Sequence, residues 1–524
     1  MGLVRMDLLA PMRIDSPTET LVIPAILVLA AWIIYRRRKA ESGAGIRFDA
    51  KDSSPSNKLV FPPSRRHILH KLQPTRTQYE KGSFSAVELS PELLAAKALP
   101  TCRAPTSDDE DDGLLTPTGF TLKDLRALGR FPDYPLLSGV RDPEPCGKEF
   151  DISKATFRPF RPFRWGYHQT MSLMKLEPDY WIELEQNYHA SMAARQELLS
   201  QHRDLIMYYE PGSELACREL MEMVVRFLCK RYPQYFRLEE EDEEEGDETI
   251  LVNELLGTRT VVVPSSSSPP PAAPPSQHPL EILAATVPED FALMLRNEDT
   301  GLYHLRAALI CSSVGWDAGA KRGLSLADIH GPVVDYRAKM AFSMDRYFAR
   351  LPTDKPIQRC SWTLEDCAPL FSSPGAVAAA QAGEQDDGGE GGGGGGWSRC
   401  AVPEQDLKLE DVQLRCDWQT LRRLPCSGAV AFNFKAVFTP LSRLRTEPFV
   451  PALLATVLRA GRPALVVPHK AVAHVRELVL PALDRWAEEQ VEGGVVPRGW
   501  EAATLDEHPF YPGWEERWRA EQGF

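Results

Sequence analysis

A histidine breaks a helical pattern at Leu326-Ala327-Asp328-Ile329-His330-Gly331-Pro332, in the middle of an otherwise core-like stretch. Neutral imidazole is a good Lewis base for a transition metal. Gly331 lets a ligand or a second backbone approach closely, and Pro332 fixes the direction of the chain. The plainer reading is that His330 caps a helix end or bonds a carbonyl. His168, beside Tyr167 and ahead of a helix-like segment, is the rival: an axial ligand, a pocket group or a structural anchor. Cys360 and Cys426 are the thiolates nearest these stretches. The other histidines fall in linker, exposed-helix or tail contexts.

Several chemistries have no motif in this chain. It contains no GxxxxGK[ST] loop, no GxGxxG after a strand, no HExxH and no GxSxG. Ten cysteines are scattered without a CxxC pair, so they read as reduced, buried thiols rather than a zinc site or disulfide framework. The net charge is -13, and the acidic run at 239–245 supplies seven of the negative charges as a solvated loop. Nucleic acid is not an expected partner, because phosphate contacts need clustered Lys and Arg.

The elements that must position His330 follow from periodicity. Trp181, Leu184, Tyr188 and Met192 share one helical face from 178 onward, and a second helix is expected over 213–230. A strand is expected at 249–263, broken at Gly257, then a helix over 279–297 and a strand at 303–312. Short helices around His330 come next, and strands at 357–362, 414–421 and 429–438 follow. Two strands, several short helices and three strands predict an α+β fold with a PAS-like antiparallel five-stranded sheet and flanking helices.

Outside that core, 1–20 is a short N-terminal segment and 40–156 reads as linker, largely loop, with order beginning near Phe157. Low-complexity inserts fall near 239–248, 265–277 and 372–405, and 447–524 is helix-like. The apolar run at 21–35 is followed directly by Arg36, Arg37, Arg38 and Lys39. Positive charge after the apolar run argues against a cleaved signal peptide and for a retained transmembrane signal-anchor over 21–39. The bulk of the chain then lies on the cytoplasmic side of a membrane such as the endoplasmic reticulum.

Four stretches in order carry a family resemblance: PFRPFRWGYHQTMSLMKLEPDYWIELEQNY (159–188), SVGWDAGAKRGLSLADIHGPV (313–333), SMDRYFARLPTDKPIQRCSW (343–362) and LRCDWQTLRRLPCSGAVAF (414–432). Together they resemble the family of the alpha subunit of haem-dependent oxidative N-demethylase, over about 157–444 outside the insertions. The anchor would mark a membrane-bound, fungal-type member. The resemblance implies a PAS-like fold that binds haem b. It also implies O2-dependent removal of a methyl group from a small amine, with electrons from an external flavin or NADPH reductase. His330 lies between the early and late strands, where haem PAS domains carry their proximal histidine. Arg346, Arg359 and Arg422 are candidate propionate partners, as guanidinium forks suit carboxylates. Asp345 and Asp417 could meet a substrate ammonium, with Tyr167 beside them as a catalytic candidate, and Trp316, Trp362 and Phe432 could form apolar wall. A non-enzymatic haem sensor and a haemless membrane-tethered scaffold are the competing readings.

Overall fold

The computed structural model describes residues 116–164, 171–240, 248–264, 277–297, 300–312, 318–331, 333, 335–366, 368, 407–461, 475–502, 505 and 508–522. The anchor at 21–39, Tyr167, His168, Trp316, Pro332 and most of the three inserts lie outside them. Among the described residues, no helix is long and apolar enough to cross a membrane.

Packing begins ahead of Phe157. The helix α1 (Leu122–Leu128) starts with a capping box between Thr121 and Asp124, and α2 (Tyr134–Ser138) follows. Leu125, Tyr134 and Leu137 are buried in the main core, within the stretch read from sequence as linker. The strand β1 (Met174–Lys175) precedes a 3-10 turn at Pro178–Tyr180, where a longer helix was expected. The helix α3 (Tyr188–Ile206) leads into β2 (Met207–Tyr209), and α4 (Glu214–Arg231) matches the predicted second helix closely.

The strand expected at 249–263 is a hairpin. β3 (Phe236–Glu240), β4 (Thr249–Asn253) and β5 (Thr258–Val263) form a separate three-stranded antiparallel sheet, with Gly257 at positive φ in the β4–β5 turn. The helix expected over 279–297 divides into α5 (Pro279–Ala284) and β6 (Asp290–Arg296). Every residue of β6 is buried, so its sequence lacks the alternation that marks a half-exposed strand.

The main sheet continues with β7 (Tyr303–Leu309) and then, after the helical stretch α6 (Leu326–Ile329) and α7 (Ala341–Arg350), with β8 (Ile357–Glu365), β9 (Gln413–Arg423) and β10 (Val430–Pro440). Its order is β1-β8-β9-β10-β6-β7-β2, antiparallel throughout. It therefore has seven strands, not five: β6 enters where a helix was read, and short β1 and β2 lie at the edges. The helices α8 (Val450–Ala460), α9 (Arg476–Glu492) and α10 (Trp514–Gln522) close the described chain.

Side-chain alternation gives the sheet two apolar faces. Trp362, Trp418 and Phe291 point into the main core with α4 and α8. Met294, Leu305, Leu421 and Val430 point the other way, into a second core completed by α6 and α7. The cysteines follow the same burial. Seven of the ten are described, all as free thiols, and burial pushes those of Cys217, Cys229 and Cys311 up to about 12.

Buried acids make stability depend on pH: burial raises both Glu289 and Glu365 to about 7, and Glu289 is the more completely enclosed. Glu289 has no accessible surface, and burial raises its carboxyl to about 7, against the opposing charge of Lys435. The folded state therefore holds a proton that the unfolded chain releases near pH 4.5. This contribution is fully present below pH 4.5 and is lost as pH rises through 7. Glu289→Gln should flatten the denaturation midpoint across that window, gaining on the order of 1–3 kcal/mol relative to wild type at pH 8. Equal pH slopes for the two proteins would refute this.

Candidate functional site

The site grows from one turn of helix. Ser325 caps α6: its Oγ accepts from the Asp328 N–H at 3.2 Å and donates to the Asp328 carboxylate at 2.6 Å. The turn ends at His330, whose Nδ1 lies 2.8 Å from the Leu326 carbonyl oxygen. A carbonyl can only accept, so Nδ1 carries the proton and Nε2 keeps its lone pair. The ring is stacked on Tyr336 with centroids 4.7 Å apart and planes 9° from parallel. Tyr336 begins a π-helical turn, Tyr336–Met340, that hands the chain to α7 after a left-handed residue at Asp335. Burial pushes the His330 imidazole below its ordinary value. The Leu326 hydrogen bond opposes that push, while the charges of Arg359 and Lys321 add to it. The net effect is a neutral, oriented base.

The second sheet face stands opposite. Ala292 and Met294 of β6, Leu305 and Ala308 of β7, Leu421 of β9 and Val430 of β10 form its buried part. Ile357, Phe432, Phe434, Val333 and Met340 extend it as half-buried apolar surface. Phe432 and Phe434 have ring centroids 5.2 Å apart. Arg359 shares this face with Ile357, because the two stand two residues apart on β8.

Arg423 ties α7 to the sheet. Its Nε donates to the Leu351 carbonyl at 2.5 Å, and Nη1 donates to Tyr303 Oη and the Gly428 carbonyl, both at 2.7 Å. Nη2 donates to the Phe348 carbonyl. A lysine cannot span four acceptors in this fork. Arg423→Lys should destabilise by about 2 kcal/mol, read from a urea midpoint, and loosen α7 first in amide exchange. A variant as stable as wild type would contradict this role.

The candidates read from sequence separate on this framework. Arg359 is on the His330 face, and Asp345 is buried on α7. Arg346 is exposed on α7, on the side away from the buried residues Met344 and Phe348. Arg422 is a correction. Its neighbours Leu421 and Arg423 point to the second core, so Arg422 points to the opposite face, where its guanidinium lies 4.3 Å from the Trp181 ring centroid. It cannot share a ligand with His330. Trp362, Cys360 and Cys426 also belong to the main core, whereas Phe432 is on the His330 side. Asp417 pairs with Arg415 at 2.8 Å. Tyr167 and His168 lie outside the described residues.

Sequence reasoning missed Tyr336 and the Leu326 carbonyl. The four-residue spacing from Leu326 to His330 was the available signal, since it stacks them along one helical turn. Tyr336 left no such signal, because the chain reaches it through a break and a left-handed residue. Among the described residues, no group of three or more His, Cys, Asp or Glu converges as a metal centre. A family model described as haem-dependent oxidative N-demethylase, alpha subunit-like, matches residues 172–480, a span running from the first strand of the main sheet into α9.

Proposed function

The chain belongs to the haem-dependent oxidative N-demethylase, alpha subunit-like family, and on that premise we propose that it binds haem b through His330 Nε2 and oxidatively demethylates a small amine. The observation that carries the reading is the Nδ1–H···O=C bond to Leu326, which fixes the tautomer a metal-ligating histidine requires. One imidazole suits a metal whose remaining ligands come from a macrocycle. The half-buried Phe432, Phe434, Ile357 and Met340 offer a flat apolar group a wall, and Arg359 offers a carboxylate a cation. A PAS-like core is supported by five long strands running β8-β9-β10-β6-β7, with α6 and α7 inserted between the second and third in chain order.

Haem, when bound, supplies the oxidation of a methyl group beside nitrogen, using O2, two electrons and two protons. The carbinolamine so formed, with one water as co-product, breaks to the shorter amine and formaldehyde. The chain's own part is to hold His330 neutral, to exclude water with the apolar wall and to position the amine. We assign the buried carboxylate of Asp345 to the substrate ammonium. Electrons come from an external flavin- or NADPH-dependent reductase. The apolar run at 21–35 with its trailing basic cluster at 36–39 supports a tether on the cytoplasmic face of a membrane, beside such a reductase.

The test is a haemin titration of the full chain followed by turnover. A Soret band saturating at one haem per chain, then formaldehyde release from dimethylamine with NADPH and reductase, is the expected result. Absence of a Soret band overturns the haem reading. A Soret band without formaldehyde, across small secondary and tertiary amines, overturns the enzymatic reading in favour of a sensor.

A further inference from the structure

Arg422, turned away from His330, lies in a cleft on the other side of the sheet. The cleft is a shallow, open-mouthed one between α2, α4, the 3-10 turn and the end of β9. Pro135, Val140, Pro178, Met223 and Phe227 give it apolar walls. Two buried donors line it: Arg422, 8% exposed, and Trp181, 2% exposed. Neither Arg422 Nε nor Trp181 Nε1 has a hydrogen-bond acceptor among the described residues. A buried guanidinium nitrogen without an acceptor is a costly arrangement, and burial, partly offset by the charges of Glu219 and Asp142, pulls Arg422 down to about 10.

The acids nearby are committed elsewhere. Glu219 accepts from the backbone N–H groups of Cys426 and Ser427, at 2.6 and 2.8 Å. Asp142 is held by both Arg226 Nε and Nη2, at 2.9 and 2.7 Å. Arg141, also lining the cleft, is held by Asp179. Each of the other two arginines thus has its own carboxylate, whereas Arg422 rests on the face of the Trp181 ring and, among the described residues, has no ion pair within salt-bridge distance.

We infer that this cleft binds a small organic carboxylate, its oxygens on the Arg422 guanidinium and the Trp181 indole N–H, its short apolar chain against Pro178 and Phe227. A guanidinium fork matches a planar carboxylate, and apolar walls favour an alkyl carboxylate over inorganic phosphate. The site is independent of the haem reading, because it lies on the opposite face of the sheet.

Calorimetric titration of the full chain with butyrate, butyramide and inorganic phosphate tests it. Butyrate should bind wild type and His330→Ala alike. It should bind Arg422→Met about 10-fold or more weakly, while butyramide binds neither. Added phosphate should compete poorly. Undiminished butyrate binding by a folded Arg422→Met overturns the inference, as does no binding to wild type. Should Arg422→Met fail to fold, the acid–amide comparison on wild type still decides: equal binding of butyramide overturns it. Tighter binding of phosphate than of butyrate also overturns it.

Discussion

Alanine at position 330 should abolish the imidazole-ligated haem spectrum and reduce haem affinity beyond the roughly 10–100-fold that losing an outer-shell partner costs. The fold should survive. His330 is half-buried at the end of a single helical turn, and its loss removes one hydrogen bond and one ring stack. Those contribute about 1–2 kcal/mol, too little to unfold a domain of this size. Visible spectroscopy therefore separates a ligand role from a structural one. Added imidazole should restore the band in His330→Ala, because a free ring can take the deleted one's place against Tyr336 and the Leu326 carbonyl. Acid should act on wild type in the matching sense. A base depressed in the folded state loses its contribution as pH falls from its unfolded value near 6.5 through the lower folded one. Ligation should thus fail only at a more acidic pH than that at which a free imidazole protonates. A Soret band identical in wild type and His330→Ala would remove His330 from the site.

Asp290→Ala should be the most damaging single substitution for the fold. Asp290 has no accessible surface at the start of β6. One carboxylate oxygen accepts from Arg195 Nη1 at 2.6 Å and from the Cys311 N–H at 2.9 Å. The other accepts from the Ser312 N–H and hydroxyl, at 2.7 and 2.6 Å. Alanine strands a buried guanidinium and two backbone donors, at about 3–5 kcal/mol. That is a large share of the roughly 5–15 kcal/mol that holds a typical protein folded. The double variant Arg195→Met with Asp290→Leu should be less destabilised than Asp290→Leu alone, since no charge is left unpaired while the Cys311 and Ser312 donors are stranded in both. A urea midpoint of Asp290→Ala within about 1 kcal/mol of wild type would contradict the account.

How much of this was legible beforehand turns on parity. The helix α4 and strands β7 to β10 were readable because one face of each is more buried than the other. β6 was not, because burial on both faces erases its period. Arg422 and Arg423 show a missed signal at a single residue. They are adjacent and chemically identical, and the strand's alternation decides which face each serves. Leu414, Cys416 and Trp418 share the parity of Arg422 and enter the main core, so Arg423 turns to the other face. His330 was legible because chain order alone places a helical break between two sets of strands. Its tautomer was not, since that depends on the angle at which one turn presents a carbonyl.

The burial of the thiols has a consequence for the chemistry proposed. Formaldehyde is an electrophile, and a cysteine adds to its carbonyl carbon as the thiolate. A thiol raised to about 12 is ionised at neutral pH in only about one molecule in 100,000. Cys426, deep in the main core beside Glu219, is also raised well above the ordinary thiol value by burial and the charge of Glu219. A catalyst that releases an aldehyde at every turnover would thus keep these sulfurs in a form the aldehyde does not readily modify. Packing that fills the core would then also govern how long the protein outlasts its own product.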